Sequence, residues 1–337
     1  MSQGVCHRVS SVPAQPLLCL SLALLLGGVA CDRPAPPSRS EAASASAPHA
    51  AASPSPAQRS RADRCRDRDR VTFVVTADTH FGASREIEAR NVEAIDAMKA
   101  MPGRAWPEPL GGSVDELCGV LVAGDLTEDG KPEEWSAFAS AFGLAGGEGA
   151  FDVPVFETIG NHDKHAGFHV RNQIFERHGS TVYAFDWGKV HVVSLGEAPD
   201  DTDLAWLRRD LDGAPKGSGI VLFFHFPLLG AYSRGQWFGD GPYRDALADV
   251  LRGRDVLAIF HGHYHATGLY TWNDVDVYRA GSPKHGWHTF NVVEIHDGAM
   301  KVASWDYDAD SWRWFHQKPV LGGGAREIKR TDPGVPP

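Results

Sequence analysis

The sequence predicts an α/β fold in which a pair of mixed β-sheets is flanked by helices. Three observations carry that reading. From residue 71 onward, short β-branched runs alternate with helical patterns. After residue 263 the helical patterns stop, and strand-like runs follow one another across tight turns. Five of the earlier runs end in polar residues suited to binding ions. Alternating units followed by meanders imply a layered arrangement of sheets and helices.

VTFVVTAD (71–78) reads as a buried strand because Val and Thr dominate it. Residues 85–100 place Ile87, Ala94, Ile95 and Met98 on one helical face, and the Pro- and Gly-rich stretch 102–113 makes a loop. CGVLVAGD (118–125) is a second strand. A helix opens after it at Pro132, which suits a first helical turn, with Trp135, Phe138 and Phe142 as its packing stripe. VPVFETIGN (153–161) is a third strand. TVYAFDW and KVHVVSL form a hairpin turning at Gly188, followed by a helix near 203–211 and the strand GIVLFFHF (219–226). Another helix (about 243–252) leads to DVLAIFHGH (255–263). The chain then reads as a β-meander, GLYTW, VDVYRA, TFNVVEI, AMKVASWDY and SWRWF, with turns at Asn273-Asp274 and Asp297-Gly298. Trp305, Trp312 and Trp314 in these last strands read as packing residues.

The front of the chain differs in kind. PLLCLSLALLLGGVA (16–30) is an apolar run behind His7 and Arg8 that ends in small residues, the layout of a signal peptide over residues 1–30. It is short for a membrane span, which needs about 20 residues. GVAC resembles a bacterial lipobox with Cys31 as the lipidated residue. Gly28 stands where Leu is typical, and Gly28 with Ala30 also suits ordinary cleavage. A lipoprotein, anchored to a membrane at Cys31 and exported, is the preferred reading. Residues 31–66 are rich in Pro, Ser and Ala without an apolar face and read as a disordered tether. The folded domain is expected over 67–318, with a tail at 319–337. Cys6 and Cys19 fall in the removed segment, leaving Cys31, Cys65 and Cys118. Export permits a Cys65–Cys118 disulfide, and two separate thiols are the alternative.

Residues 1–70 carry nine Arg against five acidic residues, a net of +4, so the total of −10 leaves −14 on residues 71–337. So acidic a domain repels phosphate backbones and argues against nucleic acid as a partner.

The polar strand ends are Asp78-Thr79-His80, Gly124-Asp125, Gly160-Asn161-His162-Asp163, His225 and Gly262-His263-Tyr264-His265. Ligands of open α/β sheets sit outside the carboxyl ends of strands, so these positions can converge on one site. Oxygen and imidazole donors without thiolate suit Zn, Mn or Fe. Alternation is expected to turn Asp78 and His80 to one centre and, in extended chain, His263 and His265 to the same side. Taken in order, DTH, GD, GNHD, a lone His and GHYH resemble the five motifs of the calcineurin-like metallophosphoesterases. Any one of them is a weak signal, but the ordered set, spanning residues 78–265, is strong.

The resemblance implies a four-layer α/β/β/α sandwich and a centre of two divalent or trivalent metal ions. Asp78, His80 and His265 would hold the first ion; Asn161, His225 and His263 the second; Asp125 would bridge them. His162 would be the catalytic imidazole, and Asp163 would either orient it or cap the following turn. Attack by a metal-bridged hydroxide on a phosphate mono- or diester is the implied chemistry. Alternatives are a pyrophosphohydrolase or nucleotidase, or a non-catalytic surface lipoprotein that binds metal or a partner. Around the motifs, His261 reads as structural, and His165 and His169 as solvated. Lys284, His285 and His288 lie either on a plain surface loop, the preferred reading, or within reach of a phosphate or its substituent. Tyr232, Arg234, Trp237, Phe238 and Tyr243 form either a substrate-facing rim or plain packing.

Overall fold

The computed structural model describes residues 65–330 apart from 145–150, 231, 235–237 and 239–240. The expected signal peptide, Cys31, nearly all of the tether and Trp237 lie outside the described residues. Among the described residues, no helix is long and apolar enough to cross a membrane.

The strand and helix order is β1 (Val71–Thr76), α1 (Arg85–Lys99), β2 (Gly119–Ala123), α2 (Pro132–Phe142), β3 (Val155–Thr158) and α3 (His169–His178). The hairpin β4 (Val182–Trp187) and β5 (Val190–Leu195) precedes α4 (Asp201–Gly213), β6 (Gly219–Phe224), α5 (Gly241–Leu251) and β7 (Val256–His261). The remainder is β8 (Thr267–Trp272), β9 (Val275–Ala280), β10 (Thr289–His296), β11 (Ala299–Asp306), β12 (Ser311–Pro319) and β13 (Ile328–Arg330). Local chemistry sets the helix starts. Ser84 accepts the Ile87 amide at α1, Asp200 accepts those of Thr202 and Asp203 at α4, and Pro132 opens α2.

A seven-stranded sheet runs β13-β12-β11-β10-β1-β2-β3 and a six-stranded sheet runs β4-β5-β6-β7-β9-β8. Both are mixed, because β1, β2 and β3 are parallel, as are β5, β6, β7 and β9, while the remaining pairs are antiparallel. Period-two alternation sorts the side chains. Val192, Val221, Phe223, Ala258 and Phe260 join the first sheet in one apolar cluster, to which α1 and α2 add Met98 and Phe138. Val193, Leu222, Ile259 and Val277 point the other way, onto Leu204 and Leu207 of α4 and Leu247 of α5. The fold is thus two sheets flanked by helices.

The expected continuous meander is divided between the sheets. The β8–β9 hairpin turns at Asn273 and Asp274, both left-handed, and stays in the six-stranded sheet. After Ala280 the chain crosses to the other sheet, where β10 pairs with β1. Turn chemistry fixes the hairpins, whereas the sheet each joins is decided by packing between layers that no local signal records. Residues 328–330, in the stretch read as a tail, add a strand beside β12. Trp305 and Trp314 are buried, and Trp312 stacks on Trp106 at 5.4 Å between ring centroids.

Cys65 and Cys118 are joined by a disulfide across 53 residues, tying the lead-in to β1 to the start of β2. Closing a loop of that length restricts the unfolded chain by an amount worth about 2–4 kcal/mol. Reduction, or Cys65→Ser with Cys118→Ser, is expected to lower the unfolding free energy in urea by that amount. An unchanged midpoint would contradict it.

Glu157 on β3 is wholly buried, and Arg177 (2.6 Å) and His178 (3.2 Å) of α3 pair with its carboxylate. Burial pushes its pKa up, but Arg177 and His178 more than offset this and hold it near 2, below the usual 4.5. A depressed carboxyl stabilises the fold above its unfolded pKa and loses that contribution as pH falls through the folded one. Glu157→Gln is therefore expected to cost about 3 kcal/mol at pH 7 in urea unfolding. The gap to wild type should close between pH 4.5 and 2. A gap that does not vary with pH would contradict this account.

Candidate metal centre

Five loops at the carboxyl ends of β1, β2, β3, β6 and β7 meet across the two sheets. Backbone hydrogen bonds hold the first two loops together, from Asp78 N–H to the Gly124 carbonyl (2.9 Å) and from His80 N–H to the Asp125 carbonyl (3.0 Å). Asp78, His80, Asp125 and His265 bring one donor atom each to within 4.8 Å of one another; so do Asp125, His225 and His263. Asp125 belongs to both groups. Its Oδ2 faces His80 Nε2 at 3.6 Å and His225 Nε2 at 3.2 Å, one imidazole from each group. Asn161 joins the second group, its Oδ1 being 3.0 Å from His225 Nε2. All seven side chains that the motifs singled out therefore converge.

The backbone departs from the expected alternation. Asp78, His80, Asp125, His263 and His265 all have left-handed φ, between 44° and 70°. Such conformations cost of order 1 kcal/mol each for residues with a Cβ, and they recur at functional sites. His263 and His265 are not in extended chain and do not serve one group. The turn fans them apart, His263 toward His225 (3.3 Å) and His265 toward His80 (3.2 Å). Close approach explains two motif glycines. A Cβ at Gly160 would collide with the Asp125 amide and carboxylate, and one at Gly124 with the His225 ring.

Tautomers follow from the partners. His225 Nδ1 lies 2.9 Å from the Ala123 carbonyl, which can only accept, so Nδ1 donates and Nε2 turns to Asp125, Asn161 and His263. His80 Nδ1 lies 2.8 Å from Glu128 Oε2, leaving Nε2 toward His265 and Asp125. His162 Nδ1 donates to the Glu128 carbonyl at 2.7 Å, so Nε2 carries a proton only when the ring is an imidazolium. The His162 ring lies edge-on to that of His80, with centroids 4.5 Å apart.

The electrostatics suit a cation. Burial drives the Asp78 carboxyl up to about 8, a penalty that an adjacent cation would offset. Burial likewise lowers His263 to about 4 and His265 to about 3, leaving the neutral imidazoles that ligate metal. Asp125 is held below the usual carboxylate range; burial opposes this, and His225 overcomes it. Burial would lower His225 too, yet Asp125 raises it to about 10, so without a cation the ring is an imidazolium paired with the charged Asp125, and a cation bound at Nε2 would displace that proton. The donor set fits divalent ions with nitrogen and oxygen preference.

Asp163 does not reach His162. Its buried carboxylate accepts the amides of Leu126 (3.2 Å), Thr127 (2.9 Å) and Gly160 (2.8 Å) and the Thr127 hydroxyl (2.7 Å). It pins the Asp125 loop to the Asn161 loop, so it takes neither of the two roles left open by the sequence: these partners all precede it, and the turn that follows is not among them. His261 is buried, its Nδ1 on the Gly262 carbonyl and its Nε2 toward the Tyr270 hydroxyl. His165 is exposed and touches the His162 ring at 4.6 Å between centroids, while His169 opens α3. His288 turns away to Asp308, whereas Lys284 reaches the His80 ring (3.1 Å) and His285 stacks on His265. Of the rim, Tyr232 lies edge-on to His263 at 5.3 Å and Phe238 is buried. Glu128 was missed by the sequence reading. Its spacing three residues after Asp125 was the only signal, and a lone surface-type Glu is common.

A two-sheet fold with this donor cluster at its strand ends defines a metal-dependent phosphoester hydrolase. Residues 71–267 match the model of the calcineurin-like phosphoesterase family, and the chain belongs to that family. It is 28% identical over 220 residues to the "Probable cyclic nucleotide phosphodiesterase" of Rhodococcus erythropolis, covering 61% of this chain and 68% of that protein. It is 25% identical over 178 residues to the "Probable glycerophosphodiester phosphodiesterase GpdQ" of Arcobacter nitrofigilis, covering 49% of this chain and 63% of that one, less than two thirds of its length. Among solved structures, a dimetal phosphatase from Danio rerio superposes with a TM-score of 0.51 at 14% identity, over 78% of this chain and 99% of that one. GAP50 of Plasmodium, described as the anchor in the inner membrane complex, gives 0.51 at 13% identity, over 76% and 91% of the two chains. At such identities these structures speak for the fold alone.

Proposed function

We propose that the chain is a dinuclear phosphodiesterase acting on a small-molecule or lipid-derived phosphodiester. The observation that carries this reading is the position of Asp125 in both donor groups, which suits a carboxylate shared by two cations. Asp78, His80 and His265 would hold the first and Asn161, His225 and His263 the second. Bound there, two divalent ions would lower the pKa of water and neutralise charge on the phosphate. The chain's own residues do the rest. The Ala123 carbonyl and the Glu128 carboxylate fix the tautomers of His225 and His80, so that each presents Nε2. The Glu128 carbonyl fixes His162, whose Nε2 as an imidazolium would give its proton to the departing oxygen. Asp163 keeps the two loops in register beneath it. The matched relatives are both named as phosphodiesterases, which supports a diester over a monoester.

We also propose that the protein is exported and held by a lipid at Cys31. The Cys65–Cys118 disulfide supports an oxidising compartment.

The test is turnover by the purified protein, chelated and then reloaded with Mn, Zn or Fe. The substrates would be bis-p-nitrophenyl phosphate, p-nitrophenyl phosphate, a cyclic nucleotide and glycerophosphodiesters. Metal-dependent cleavage of diesters above monoesters is expected. No cleavage of any diester under any metal would overturn the reading.

A further inference from the structure

The loop joining β9 to β10, residues 281–288, lies beyond the family-matched segment ending at 267. Three of its side chains nonetheless engage the three residues that, with Asp125, make up the first donor group. The Ser282 hydroxyl donates to the Asp78 carbonyl (3.0 Å) and accepts the Lys284 amide (2.9 Å). Lys284 Nζ lies 2.7 Å from Glu128 Oε2 and 3.1 Å from His80 Nδ1. The His285 ring stacks on His265 with centroids 5.1 Å apart and planes 22° from parallel. Ser282 is wholly buried and the Lys284 side chain is only 14% exposed, so the turn delivers its ammonium to a fixed place.

His80 Nδ1 is thereby faced by two groups with opposite demands. The Glu128 carboxylate, 2.8 Å away, accepts a proton from Nδ1, which leaves a lone pair on Nε2 for a cation. The ammonium offers a proton to Nδ1, and a ring that accepts it carries its own proton on Nε2 and cannot ligate. We propose that Lys284 is a positioning residue that tunes the first cation position. By sharing Glu128 with His80 it weakens the carboxylate's hold on the Nδ1 proton and lowers cation affinity at Asp78, His80 and His265. Coulomb repulsion between the ammonium and a bound cation acts in the same direction. The affinity of the first position is thus set in part by a residue outside the motifs, an inference that rests on the proposed reading of the donor groups as a metal centre.

The experiment is calorimetric titration of the chelated full-length protein with Mn(II), with the thermal midpoint as a check on folding. Lys284→Met is expected to tighten one class of sites by about 10-fold and leave the other unchanged, while Glu128→Gln weakens that same class by about 10–100-fold. Adding Lys284→Met to Glu128→Gln should recover part of that loss, because the competing donor is gone; a merely structural lysine would give no such recovery. Lys284→Gln, closer in polarity, is expected to behave as the Met variant and serves if that one fails to fold. Affinities in folded Lys284 variants that are unchanged or weaker, with wild-type binding intact, overturn this inference alone. A wild-type protein that binds no Mn(II) overturns it together with the metal-centre reading.

Discussion

Asp125→Asn is expected to reduce diester hydrolysis by about 10³-fold or more and to lower the content of both cations. The substitution keeps the shape of the side chain and the oxygen that accepts the His162 amide at 2.8 Å, so the loop can fold as before. What it removes is the charge lying between the two donor groups, with Oδ2 3.6 Å from His80 Nε2 and 3.2 Å from His225 Nε2. Ions in such a centre supply several kcal/mol of transition-state stabilisation, and about 4 kcal/mol corresponds to 10³ in rate. Metal analysis of the purified variant beside its rate constant makes the check. Two retained ions with a near-normal rate would show that Asp125 is not shared.

His162→Ala is expected to leave metal content intact and to slow hydrolysis of unactivated alkyl diesters by about 10²–10⁴-fold, the usual worth of a positioned proton donor. The loss should be much smaller for p-nitrophenyl esters, whose leaving group needs no proton. The reasoning is geometric: Nδ1 is committed to the Glu128 carbonyl, so the ring has one nitrogen left for substrate. Equal losses across leaving groups would assign the ring to binding or support. Reduced metal content would instead mean that its edge contact with His80 holds that ligand in place.

The strands and helices were legible in the sequence because each carries its own periodicity. Val71–Thr76 and Gly219–Phe224 are buried on both faces and read as short β-branched or apolar runs without alternating charge, while α2 shows its stripe of Trp135, Phe138 and Phe142. The motif residues were legible because strand ends deliver loops to one edge of a sheet. What stayed hidden lies between layers. Nothing local says that β9 pairs with β7 in the six-stranded sheet and that β10 leaves that sheet to pair with β1. Asn91 gave no sign of being buried in α1, where its amide ties the helix to the Thr79 carbonyl at 2.7 Å. Glu128 and Lys284 are 156 residues apart, and only the folded chain shows that Lys284 and His80 share the Glu128 carboxylate as their acceptor. Alternation failed at His263 and His265 because it presumes extended backbone, and left-handed turns break that premise.

The central claim is that two cations lie within one cage and share a carboxylate. Electron paramagnetic resonance of the protein loaded with Mn(II) to saturation tests it most directly. A shared Asp125 predicts the broad multiline spectrum of a spin-coupled pair, lost in Asp125→Asn. The spectrum of isolated Mn(II) ions at full loading would contradict the account.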